Sequence, residues 1–93
     1  MKLLPIQTFR NGVFYNQIAR TSITAFYSLQ YSVVGPIIGF DVFRIHLRGE
    51  RVFKGKTIPR HEHFPWNDDY GVSAWSFSSE KDARNKFNEI SSK

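Results

Sequence analysis

Apolar and polar residues alternate over two long stretches in the middle of the chain. In the first, Ile23, Ala25, Tyr27, Leu29, Tyr31 and Val33 alternate with Thr24, Ser28, Gln30 and Ser32. A period of two puts one set of side chains on each face of an extended segment, so residues 23–34 are predicted as a strand with one apolar face. Its β-branched and aromatic content agrees, and Gly35-Pro36 ends it. In the second stretch, 40–48, Phe43, Ile45 and Leu47 point one way and Arg44, His46 and Arg48 the other. Gly49-Glu50 is then read as a two-residue corner. Residues 51–58 would pair back from it, with a bulge beyond Val52-Phe53.

The flanks complete the pattern. A short apolar stretch, 3–9, leads into Arg10-Asn11-Gly12, a hairpin signal because Asn and Gly tolerate positive φ. Residues 13–20 would return as a strand, although Phe14, Ile18 and Thr21 also sit at helical spacing. Pro59, Pro65, Asn67, Asp68, Asp69 and Gly71 mark 59–71 as a loop. Residues 72–77 read as a last strand. Ser78 and Ser79 offer N-caps, Glu80 and Asp82 favour a first helical turn, and Ala83, Phe87 and Ile90 form an apolar stripe. The expected fold is therefore α+β. A single domain over 1–93 carries an antiparallel sheet of about five or six strands, with one C-terminal helix packed on one face.

Charge sharpens this picture. The net charge is +5, unevenly spread. Residues 1–43 hold three cations and one anion, and residues 67–93 hold four cations and five anions. The 23 residues between carry Arg44, Arg48, Arg51, Lys54, Lys56 and Arg60 against Glu50 and Glu62. Such a segment attracts phosphate backbones or acidic protein surfaces, or simply keeps the chain solvated. If Gly49-Glu50 is the corner, Arg48 and Arg51 face each other, a repulsion that a bound anion would relieve. Arg44, His46, Arg48, Arg51, Lys54, Lys56 and Arg60 are thus candidate binding residues. Phe64, Trp66 and Tyr70 join them as aromatic anchors, unless their loop folds back to plug the core.

Several chemistries are excluded or weak. The chain has no cysteine, so disulfides and thiolate metal sites are ruled out. His61 and His63 would lie on one side of an extended segment, with Glu62 between them. That arrangement admits a divalent metal and, as an alternative reading, a metal-dependent nuclease, with His46, Asp68 and Asp69 nearby. The spacing matches no helical His-Glu-x-x-His pattern. There is no Gly-x-Ser-x-Gly elbow, and Lys54-Gly55-Lys56-Thr57 lacks the upstream glycine of a phosphate loop. The expectation is a protein that is not an enzyme and needs no cofactor. No apolar run approaches the length of a membrane span, and Met1 to Phe9, interrupted by Pro5, does not read as a leader. A cytoplasmic location is expected.

Two resemblances add to this reading. Gly71-Val72-Ser73-Ala74-Trp75-Ser76-Phe77, followed by Ser78-Ser79-Glu80-Lys81-Asp82-Ala83, is similar to the third strand and second helix of RNA-recognition motifs. The stacking aromatics of that family would fall at Val72 and Ala74, so no RNA-binding residue is carried over. In size, basicity and absence of a catalytic motif, the whole chain resembles small accessory proteins of phages and mobile elements. That resemblance implies docking on a larger partner, such as a nucleoprotein or a CRISPR-type defence complex, to inhibit or modulate it. The alternative is direct binding of RNA or single-stranded DNA. An unpaired sheet edge would also permit a homodimer.

Overall fold

A computed structural model describes residues 3–92, with the side chains of Arg48, Ile58 and Asn67 outside the described set. Five strands form one antiparallel sheet: β1 (Gln7–Arg10), β2 (Val13–Arg20), β3 (Thr24–Gln30), β4 (Ile37–Arg44) and, after a long excursion, β9 (Ala74–Phe77). Their order is β1-β2-β3-β4-β9, a plain meander. The helix α1 (Glu80–Ser91) follows and packs on β3, β4 and β9. This is the α+β architecture expected, and residues 13–20 are strand.

Local chemistry explains the meander. Asn11 and Gly12 both have positive φ, 53° and 79°, and Arg10 pairs with Val13. That is a type I′ two-residue turn, whose twist matches the flanking strands. Ser79 caps α1 by accepting a hydrogen bond from the Asp82 amide, 3.5 Å away. Ala83, Phe87 and Ile90 form the buried stripe of the helix.

The sheet is covered on both faces. On the helix side, Phe26, Phe40 and Val42 pack with Ala83, Phe87 and Ile90. On the other side Leu4, Tyr15, Ala25, Tyr27, Phe43 and Ala74 form a second cluster, flanked by Phe64 and Tyr70. Residues 24–28 are consequently buried on both faces. The expected strand of 23–34 was read with a polar second face, but Phe26 sits on that face and receives the helix. The strand also stops at Gln30, leaving Tyr31 and Val33 exposed in the following turn.

The second difference is larger. Residues 40–48 are not one strand: β4 ends at Arg44, where its partner β3 begins at Thr24 and its ladder neighbours run out. The chain leaves the sheet at Ile45 and forms β5 (His46–Arg48), β6 (Arg51–Phe53), β7 (Lys56–Ile58) and β8 (His61–His63). β5 pairs with β8 and β6 with β7, so 46–63 is one interrupted antiparallel ribbon. A short 3₁₀ turn (Asn67–Asp69) leads to β9. Gly49-Glu50 is not the corner. The turn lies at Lys54-Gly55, whose φ values of 52° and 77° both suit a type I′ loop, whereas Gly49 has no positive φ.

The root of the ribbon is fixed by an ion pair. Both Arg20 terminal nitrogens donate to the Glu62 carboxylate, at 2.7 and 2.8 Å, and the Leu4 amide adds a third bond at 2.9 Å. The guanidinium of Arg20 holds the Glu62 carboxyl below the usual carboxylate range, against the opposing effect of burial. A carboxylate with a lowered native pKa stabilises the fold above its unfolded value, and the contribution fades as pH falls through the native value. Stability should therefore drop on acidification below roughly pH 4.5, and urea unfolding of Glu62→Gln should show a shallower acid dependence than the parent. Arg20→Ala, which leaves a buried carboxylate unpaired, should cost about 3 kcal/mol at neutral pH in the same measurement. An unchanged midpoint would show that the pair does not hold the root.

Candidate phosphate-binding ribbon

Strand alternation sorts the ribbon root into two faces. Leu47 pairs with Glu62, and Glu62 turns inward to Arg20 and Leu4. His46 pairs with His63 and Arg48 with His61, so these positions share the opposite face. The expected constellation of His61, Glu62 and His63 is thereby corrected. Glu62 points away from both histidines and is fully engaged by a guanidinium. Among the described residues no group of three or more His, Cys, Asp or Glu is disposed to hold a metal ion.

The histidines instead make an aromatic ledge. The rings of His46 and His63 stack at 5.6 Å, and Trp66 lies 4.3 Å from His63 and 5.9 Å from His46. His46 Nε2 also approaches Asp69 Oδ2 at 3.4 Å. Asp69 accepts a bond from the Trp66 amide, which orders this turn.

The three aromatic candidates separate. Phe64 packs among Tyr15, Tyr27 and Phe43, with ring centroids 5.1–5.7 Å away. Tyr70 donates to the buried Asp41 at 2.7 Å, and Asp41 accepts a second bond from Ser76. Burial, followed by Asp41, pushes the Tyr70 hydroxyl far above the ordinary tyrosine range. Both rings fasten the excursion to the sheet, while Trp66 stays 53% exposed.

The cations also separate. Arg44 belongs to β4 and shares the helix-side face with Phe40 and Val42, exposed at the foot of the ribbon. It does not extend a continuous face with His46, because the strand breaks at Ile45. Arg48 pairs with His61, and Arg51 with Ile58, so the expected confrontation of Arg48 and Arg51 does not occur. In the tip, Arg51, Phe53 and Lys56 share one face, Val52 and Thr57 the other, and Lys54 occupies the turn. Arg60 lies between β7 and β8.

Two observations define the tip. Every residue from Gly49 to Arg60 whose side chain is described is exposed, and β6 and β7 pack substantially on each other alone. Arg44, Arg51, Lys54, Lys56 and Arg60 make no ion pair among the described residues; the four such pairs lie elsewhere. The radius of gyration, 14.1 Å, exceeds the roughly 12 Å of a compact chain this long, as a projecting arm requires. The sequence reading also passed over Val52 and Phe53, which are 71% and 59% exposed at the tip. Their signal is two apolar residues directly before a Lys-Gly turn.

Comparison with known protein families, curated proteins and solved structures finds no match to this chain. What fold and site define is a small α+β domain with a cationic two-stranded arm.

An isolated two-stranded hairpin is marginal in water. Amide hydrogen exchange should therefore find residues 51–58 protected far less than β3, with Phe26 and Tyr27 among the slowest to exchange. Equal protection of the two segments would mean that the arm is built into the body.

Proposed function

We propose that this chain is a non-catalytic interaction module. It docks on a larger partner bearing phosphates, a nucleic acid or a nucleoprotein, through the cationic ribbon of residues 44–63. The observation that carries this reading is a set of cations on a projecting ribbon that make no ion pair among the described residues: Arg51, Lys54, Lys56 and Arg60, with Arg44 at its foot. Arginine and lysine so placed keep their full field outside the protein and steer anions toward it. Guanidinium adds bidentate recognition of phosphate oxygens.

The placement of the acids supports the same reading. Glu62 is turned inward to Arg20, and Asp41 is buried with Tyr70 and Ser76. Between Arg44 and Arg60 the sequence holds a single acid, Glu50, to offset the cations. Occupying phosphate-bearing sites in this way would block or adjust the partner's own contacts with nucleic acid.

Chromatography on a polyanionic heparin matrix tests the assignment with charge matched. Arg51→Glu with Lys56→Glu should lower the salt needed for elution much more than Lys81→Glu with Arg84→Glu, an equal change of charge placed on α1. Equal shifts for the two double variants would show that net charge alone, and not the ribbon, governs binding.

A further inference from the structure

The shape of the ribbon narrows the phosphate-bearing partner. Single-stranded nucleic acid is ordinarily held along a groove or an open sheet face, with bases stacked on exposed rings. Here the open sheet face is covered by the Leu4 segment and by Phe64 and Tyr70. The cations lie on a convex finger, which needs a concave partner.

Dimensions point the same way. Paired strands lie about 5 Å apart, so a two-stranded ribbon with its side chains fits the major groove of B-form DNA, about 12 Å wide. Three paired residues per strand extend roughly 10 Å, enough to reach the floor of a groove about 8.5 Å deep. At the far end the finger carries Phe53, opposite Lys56 and beside Lys54, whose Nζ lies 5.4 Å from the ring centroid. The Phe53 ring is otherwise exposed and belongs to neither core cluster. On the groove floor it meets the methyl group of thymine, the apolar feature of that surface.

We infer that residues 51–58 form a finger for the major groove of duplex DNA, in which Arg51, Lys54 and Lys56 hold phosphates and Phe53 contacts thymine methyl groups. The inference rests on the phosphate-binding reading above and specifies its ligand. The A-form duplex of RNA has a deep, narrow major groove that such a finger cannot enter.

Fluorescence anisotropy with labelled oligonucleotides of two helical turns tests it on the full chain. B-form DNA duplex should bind more tightly than RNA duplex or single strands of the same sequence. Arg51→Gln or Lys56→Gln should each reduce the slope of log affinity against log salt by about one. Phe53→Ala should weaken duplex binding roughly tenfold with the slope unchanged. Replacing thymine by uracil in the DNA should weaken the intact protein similarly, a readout independent of how any variant folds. Exchanging residues 51–58 for a two-residue Asn-Gly turn should abolish binding while the circular dichroism of the sheet and helix persists.

Equal binding of DNA duplex, RNA duplex and single strands would overturn the groove while leaving the phosphate reading intact. Indifference to uracil and to Phe53→Ala would overturn the role of Phe53. No binding to any oligonucleotide, with the heparin difference preserved, would replace DNA by an acidic protein as the partner. Loss of the heparin difference as well would remove the phosphate reading itself.

Discussion

The ion pair between Arg20 and Glu62 is the contact on which the rest of the arrangement turns. It joins β2 to β8 across 42 positions of sequence and draws in the Leu4 amide. A carboxylate removed from water must be neutralised and hydrogen-bonded, and Glu62 receives three donors. Its orientation dictates the rest of the ribbon root. With Glu62 inward, strand alternation turns His61 and His63 outward and brings His46 to the same face. A buried ion pair sets the register of the root, and among the described residues nothing comparable reaches the tip.

The chain also segregates charge along its length. No charged residue occurs between Arg20 and Asp41. That span contains β3, both of whose faces are buried over much of its length, and the turn bearing Tyr31, Val33 and Val34. Since β4 runs from that turn to Arg44, the turn and the cationic ribbon lie at opposite ends of the sheet. Like charges therefore concentrate where the protein has no core to destabilise.

The sheet and helix were legible because each is a periodic signal with one covered face. Ala83, Phe87 and Ile90 announced the helix stripe, and Asn11-Gly12 announced the first hairpin. The excursion was not legible because its register comes from partners distant in sequence. Gly49-Glu50 and Lys54-Gly55 both read as local turns, and the second is the one consistent with Glu62 turned inward to Arg20. Phe64 and Tyr70 were visible as aromatic residues in a loop. Their companions Tyr15, Tyr27 and Asp41 lie on three other strands and cannot be inferred from spacing. Of the candidate site, the cationic residues were identified from composition. Their distribution between the foot and the tip, and the exposure of Val52 and Phe53, required the structure.

The central claim is that the ribbon, and no other surface, meets the phosphates. Nuclear magnetic resonance of the ¹⁵N-labelled protein titrated with a short DNA duplex addresses it residue by residue. Amide shifts confined to residues 44–63, leaving the Tyr31–Ile38 end and α1 unmoved, are the result this account predicts. Shifts centred on α1 or on the Tyr31–Ile38 end, with the ribbon unchanged, would contradict it.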